Sequence, residues 1–334
     1  MNVVELAAPR LDALCAAVYP DPRPGPGEVL LRLRAASLNF LDIAVATGKY
    51  PGPTFPLVPV ADGAGEIAEV GPDVSDWSVG DRVIPHFMPD WQDGTMTPAS
   101  FAAKRGVTRP GSLAEYVAVP AVSLVAIPEH LSFVQAATLP IAATTAWRAC
   151  RAARLGPHST VLLLGTGGVS IFALQFAKAH GSRVLITSSS DEKLEWARQL
   201  GADLTINYRN TPDWDAEALR LTDGRGADLV LETGGTATFP RSVNAAAMAG
   251  TVFVIGFLSG AEPTINVLPI MEKELNVQGN NTGPVAALRD AAVAIAAHRL
   301  VPVVDRTFEM SDAAEAYAHL AAGGHFGKIT LNIA

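Results

Sequence analysis

The sequence predicts an α/β fold, a doubly wound parallel sheet joined to a discontinuous β-rich domain. Three observations carry this. Six apolar runs recur at 161–165, 183–188, 205–208, 228–233, 250–256 and 275–280, with helical stretches such as 168–180 and 191–200 between them. Strands that are apolar on both faces and alternate with helices imply a parallel sheet covered on each side. The chain ahead of residue 125 instead carries short strands punctuated by Gly, Pro and Asp, and 334 residues exceed one ordinary core.

In order, residues 28–36 (EVLLRLRAA) read as a strand with one solvated face, and 63–71 and 80–87 as further short strands. The polar, turn-rich stretch 89–111 reads as a long loop, and 112–120 returns to strand character. In the second region, Ser189 followed by Glu192 predicts a capping box for the helix at 191–200. Helical segments at 284–299 and 311–322 and the closing strand GKITLNI have no place in a sheet already complete at six strands. They are expected to return to the amino-terminal region. The predicted domains are therefore 1–124 with 283–334, and 125–282.

Hydrophobic residues make up 49% of the chain and charged residues 17%, the balance of a well-buried globular protein. The net charge of −8 opposes binding to a phosphate backbone or an anionic membrane, so neither nucleic acid nor membrane is expected as a partner. Two distant cysteines, Cys15 and Cys150, make neither a disulfide framework nor a zinc–thiolate cluster. With no basic-then-apolar leader in MNVVELAAPR, a cytoplasmic location is expected.

The stretch VLLLGTGGVSIF, 161–172, runs from strand through glycines into helix. Its turn, Gly165, Thr166, Gly167, Gly168 and Val169, would bring backbone N–H groups to a pyrophosphate at a helix amino terminus. Ser170 stands where the fingerprint has its third glycine, a position that serves helix–strand packing, not phosphate approach. The end of the second strand selects the cofactor. An NAD-preferring domain carries Asp or Glu there, but this chain has Ser188 and Ser189, with Lys193 nearby and Tyr208 or Arg209 after the third strand. Hydroxyls and a cation suit a 2′-phosphate, so NADPH is expected ahead of NADH.

The ordered segments GEVLLRLRAASLNFLD (27–42), GKYPGP (48–53), GAGEIAEVGPDVSDWSVGDRV (63–83), GSLAEYVAVP (111–120), ATLPIAATTAW (137–147), LLGTGGVSIFALQFAKAHGSRV (163–184), GRGADLVLETGG (224–235) and HFGKITL (325–331) resemble the medium-chain dehydrogenase/reductase superfamily, in particular its zinc-free quinone oxidoreductase-like branch. The resemblance covers nearly the whole chain. It implies a GroES-like catalytic domain, a Rossmann cofactor domain and an active cleft between them. The family's catalytic zinc ligands fall on Asn39, on Ala61 and Asp62, and near Pro140, and the cysteines of its structural zinc lobe are missing from 85–111. No metal is therefore expected, because asparagine, alanine and proline do not replace Cys, His and Cys.

Without a Lewis acid, hydride transfer to an acceptor that carries its own conjugation is the easier chemistry, so a quinone, enone or enal is the expected substrate. From the resemblance, Asn39 would contact the substrate carbonyl or the nicotinamide ribose, Asp42 would order its loop, and Tyr50 would donate a proton or form a wall. Thr145 matches a position near the nicotinamide, and Gly234, Gly256 and Phe257 follow the fourth and fifth strands where ligands bind. His86, Phe87 and Trp91 are expected to roof the cleft and contact substrate, His86 being open to a general-acid reading or a structural one. The competing functions are a zinc-independent NAD(P)-dependent alcohol dehydrogenase and a cofactor-binding protein with little catalysis. Analogy with the family implies a homodimer through 250–256 and 275–280.

Overall fold

The structure, a computed structural model, describes residues 1–333. Its contacts divide the chain into two compact units: residues 1–144 with the segment from Gly283 onward, and residues 145–282. Each unit has its own apolar core.

The first unit opens with an antiparallel hairpin, β1 (Asn2–Leu6) and β2 (Leu14–Val18), which no sequence pattern had marked. It continues with β3 (Glu28–Leu38), α1 (Phe40–Ala46), β4 (Asp62–Val70) and β5 (Arg82–Pro85). The stretch expected to be one long loop at 89–111 contains a short helix, α2 (Pro98–Ala102). Thr97 caps it by accepting from Ser100 N, and Pro98 takes the first-turn position where its missing N–H costs nothing. Then come β6 (Tyr116–Pro120), β7 (Leu124–Ala126) and α3 (Phe133–Ala136). The unit runs past the junction expected at 124/125, because β7 pairs with β5 and α3 packs on β3 and β4. Shared sheet hydrogen bonds hold that segment, whatever the change of rhythm in the sequence.

A helix, α4 (Thr144–Ala152), leads into the second unit, which alternates strand and helix throughout: β8 (Thr160–Leu163), α5 (Gly168–Ala179), β9 (Arg183–Ser188), α6 (Asp191–Gln199), β10 (Leu204–Asn207), α7 (Trp214–Leu221), β11 (Ala227–Glu232), α8 (Phe239–Ala245), β12 (Ala246–Val254), α9 (Leu268–Glu272) and β13 (Asn276–Gly279). The strands form one parallel sheet in the order β10-β9-β8-β11-β12-β13. All of β8 is buried, as its uninterrupted apolar run requires. The winding reverses between β8 and β11, and in such sheets ligands bind beyond the strand ends at that reversal. The α6 cap sits one residue later than expected. Ser190, with extended backbone, accepts from Lys193 N, while the Ser188 hydroxyl accepts from Ser190 N.

The chain then rejoins the first unit through α10 (Val285–Ala297), β14 (Val304–Glu309), α11 (Ala313–Ala321) and β15 (Lys328–Asn332). Of these only β14 was not foreseen; its consecutive polar residues Asp305, Arg306 and Thr307 leave it largely exposed. The resulting seven-stranded sheet runs β14-β15-β3-β4-β5-β7, with β6 also paired to β3. In the long central strand β3, Leu38 lies opposite Ile329 of β15 and Ser37 opposite Asp62 of β4. Three strand ends therefore converge where Asn39 leaves β3.

Ser170 bears on the glycine turn. Its side chain is buried in the first turn of α5, and its hydroxyl donates to the Leu164 carbonyl at 3.0 Å. Ser170→Gly would restore the third glycine of the fingerprint but remove that bond and a better helix former. The expected cost is about 1–2 kcal/mol, seen by calorimetry as a fall of about 3–6 °C in Tm, with dinucleotide affinity unchanged.

Candidate functional site: a buried charge cluster and a glycine turn

At the convergence of β15, β3 and β4, antiparallel register places Lys328 beside Asn39 and Asp62. The Lys328 ammonium is 4% exposed. It donates to the Leu38 carbonyl and to Asn39 Oδ1, each at 2.6 Å, and stands 3.7 Å from Asp62 Oδ2. The Asn39 amide donates from its other end to Asp62 Oδ2 at 2.9 Å. Both ends of the carboxamide are thus engaged, and an ammonium donor on one side with a carboxylate acceptor on the other fixes its orientation.

Asp42, three residues into α1, is buried and ties two segments together. Its Oδ2 accepts from Asn39 N at 2.7 Å and its Oδ1 from Ala61 N at 3.2 Å. Val60, just ahead of that contact, is buried at φ +72°, a left-handed conformation that costs a β-branched residue about 1–3 kcal/mol. The neighbouring bonds hold it there: Ser112 N donates to the Val60 carbonyl at 2.7 Å. Arg105, also buried, donates to Ser112 Oγ at 2.9 Å.

Burial dominates the electrostatics of this cluster. It pushes Asp42 up to about 7, against the lowering effect of the Asn39 N–H, with Asp62 adding repulsion. It pushes Asp62 up to about 6, with Lys328 and Asn39 opposing. The Lys328 ammonium is pulled below its ordinary value by burial and supported by the two carboxylates. Burial likewise lowers Arg105 to about 10, with Asp62 opposing. Burial raises the Tyr317 phenol, which lies within the field of Asp42. Asp62 Oδ1, Arg105 Nε and Tyr317 Oη are buried with no hydrogen-bond partner.

This donor set does not fit a zinc ion. Asn39 and Asp62 are committed to an ammonium, Ala61 has no donor side chain, and Pro140 has none either. A lysine cation against the Asp62 carboxylate also repels a second cation there.

The other first-unit residues singled out from the sequence fall as follows. Tyr50 is half-buried against the core, with the Lys104 ammonium 5.6 Å from its ring centroid, and burial raises its phenol. His86 is fully buried and bonded through Nδ1 to Met88, and burial lowers it to about 4, so it is neutral at physiological pH. Its Nε2 is buried without a partner. Phe87 and Trp91, expected to roof a cleft, belong to the first unit's apolar core, because their large apolar surfaces are removed from water together with Met88.

In the second unit, Gly165 ends the β8 exit at φ +76°, and a Cβ there would meet nothing within 4 Å. Gly167 is the extended N-cap of α5, which begins at Gly168 with Val169 in its first turn. Thr166 is buried, and Gly165 N donates to Thr187 Oγ1 of β9 at 3.2 Å. Open backbone at a helix amino terminus fits a pyrophosphate. Ser188 closes β9 and Ser189 follows it half-buried; Tyr208, 41% exposed, donates its N–H to the Ser188 carbonyl. Lys193 lies in the first turn of α6. Thr145 is buried in α4. Gly234 and Gly256 stand just beyond β11 and β12, followed at the latter by the exposed Phe257.

Sequence reasoning missed Lys328, Arg105 and Glu232. Lys328 and Glu232 are single charges at the edge of apolar runs and Arg105 lies in a polar, turn-rich stretch, with no local spacing to mark any of them, although a lysine within KITL signals a buried cation in need of partners.

A doubly wound sheet with a glycine turn, joined to a discontinuous β-rich unit, defines a two-domain oxidoreductase. Residues 25–129 match the alcohol dehydrogenase GroES-like domain and 168–297 the zinc-binding dehydrogenase model. A zinc-type alcohol dehydrogenase-like protein of Schizosaccharomyces pombe is 44% identical, over 92% of this chain and 91% of its own length. A quinone oxidoreductase of Pseudomonas aeruginosa is 31% identical, over 94% and 93%. Among solved structures, an NAD-dependent alcohol dehydrogenase superposes with a TM-score of 0.91 at 35% identity, covering 100% of both chains. A mycobacterial protein complexed with NADPH superposes with a TM-score of 0.85 at 25% identity, also covering 100% of both. The chain belongs to the medium-chain dehydrogenase/reductase superfamily.

Lys328→Met would leave Asp62 and Asp42 without their buried cation, a loss expected to cost about 3–5 kcal/mol at pH 8. Both carboxyls have folded values above the unfolded one, so they favour the fold when protonated and penalise it as pH rises through about 6 and 7. The variant's deficit, measured by urea unfolding, should therefore shrink at pH 5.

Proposed function

We propose that this protein is a zinc-independent, NADPH-dependent reductase that delivers hydride to a quinone or an α,β-unsaturated carbonyl. The observation that carries the reading is the commitment of Asn39 and Asp62 to the Lys328 ammonium, at the positions the resemblance assigns to zinc ligands. Without a Lewis acid, oxidation of an unactivated alcohol lacks the group that would lower its pKa. A conjugated acceptor delocalises the incoming charge itself.

Bound NADPH would supply the hydride. The open backbone at Gly165 and the α5 amino terminus would hold the pyrophosphate, while the hydroxyls of Ser188 and Ser189 with Lys193 would receive the 2′-phosphate. A buried, neutral His86 is poorly suited to donate a proton as an imidazolium. The raised Tyr50 phenol stays protonated across physiological pH and suits hydrogen-bond donation. The reading includes a cytoplasmic setting; among the described residues no helix is long and apolar enough to cross a membrane.

The test is NADPH consumption with a panel of quinones, enones and enals, set against NAD(P)⁺ reduction with alcohols. Turnover of a conjugated acceptor is expected. Alcohol oxidation with no such reduction would instead establish the dehydrogenase reading, and NADPH binding with neither activity would establish a binding protein. Ser188→Asp places a carboxylate where the 2′-phosphate is proposed to sit. It should weaken NADPH at least about tenfold, or about 1.4 kcal/mol, relative to NADH.

The reading includes a homodimer through β13. This edge strand has one open side, and Met271 and Val277 near it are exposed. Light scattering should report two copies for the wild type and one for Val277→Arg.

A further inference from the structure

The carboxylate of Glu232 closes β11 at 0% exposure, and the hydride-transfer reading does not use it. All four of its hydrogen-bond donors are uncharged. Its Oε1 accepts from Gly234 N at 2.7 Å, Gly235 N at 2.8 Å and Thr238 Oγ1 at 2.5 Å. Its Oε2 accepts a short bond from Ser242 Oγ in α8. A buried carboxylate is costly unless its lone pairs are filled, and here a single loop fills most of them. The loop is 233–238, which leaves the sheet at the winding reversal.

That loop reaches to both sides. Toward β8, Thr233 Oγ1 donates to the Leu164 carbonyl at 3.1 Å, bridging the strands that flank the reversal. Toward β12, it is stitched to residues 255–260. Thr236 N donates to the Gly260 carbonyl at 3.0 Å, and Ser259 donates from both N and Oγ to the Gly234 carbonyl at 2.7 Å. The backbones touch so closely that side chains are excluded. A Cβ on Gly256 would lie 2.1 Å from the Thr233 carbonyl oxygen, and one on Gly235, at φ +87°, 2.1 Å from that of Gly260. Glu232 therefore holds one loop directly and a second through it.

A doubly wound sheet binds a dinucleotide with one mononucleotide on each half. The Gly165 turn belongs to the half containing β8, β9 and β10, which would take the adenosine side. The loops held by Glu232 crown the other half. We propose that Glu232 is a positioning residue that shapes these two loops into the seat of the nicotinamide mononucleotide half, without touching the cofactor itself. The inference rests on the dinucleotide reading above.

The experiment compares binding of NADPH with binding of 2′,5′-ADP, which carries the adenosine half alone, by calorimetry on the full-length protein. In Glu232→Gln one oxygen becomes an NH2 group facing donors, so loop 233–238 must shift. NADPH should weaken tenfold or more while 2′,5′-ADP changes less than twofold. Thr238→Val, which removes one of the four donors and leaves the carboxylate, should weaken NADPH three- to fivefold with the same selectivity, and it serves if the glutamine variant does not fold. Ser242→Ala, which acts on the helix side, is the control and should lower Tm with little change in either affinity. Equal loss of both ligands, or loss of neither, would overturn the positioning role. A wild type that binds neither ligand would overturn the dinucleotide reading, and the inference with it.

Discussion

The first unit is organised around the buried Lys328 cation. Lys328 sits where three strands of a single sheet end, and its ammonium is held by a main-chain carbonyl, the Asn39 carboxamide and the Asp62 carboxylate. Removing charges from water costs several kcal/mol per ion, so this arrangement survives only because each member compensates another. Asp42 extends it by pinning Ala61 behind a left-handed Val60. Strain, charge and sheet register are concentrated at one end of β3. This is the pattern expected of a site held in shape for function, and it adds little net stability.

At the positions that the resemblance assigns to zinc ligands, Asn39 and Asp62 are committed to this ammonium, and the donor set does not fit a zinc ion. The cation at this place is a covalently attached ammonium with a fixed number of protons to donate. It neutralises Asp62 as a metal would, and it offers no open coordination position to a substrate oxygen.

The second unit uses the opposite solution. Glu232 is a buried anion without a cationic partner, satisfied by backbone amides and hydroxyls drawn from the loop that follows it. Short-range hydrogen bonds suffice because the carboxylate and its donors lie within ten residues of one another in sequence. Lys328 and Asn39, by contrast, are 289 residues apart.

That difference in separation marks what the sequence by itself determined. Alternating apolar runs and helices specified the parallel sheet and its strand positions, because a strand buried on both faces must be apolar whatever surrounds it. The glycine turn was equally legible, and Ser170 was rightly assigned to packing, since turn geometry and helix entry are local properties. The hairpin of β1 and β2, the strand β14 and the extent of the first unit were not legible, because half-exposed edge strands carry weak patterns and a domain boundary depends on pairing with distant strands. The fate of Phe87 and Trp91 likewise waited on the core that enclosed them. Only the tertiary structure joined Lys328 to Asn39 and Asp62, because antiparallel register, not spacing along the chain, decides which residues meet at the end of a sheet.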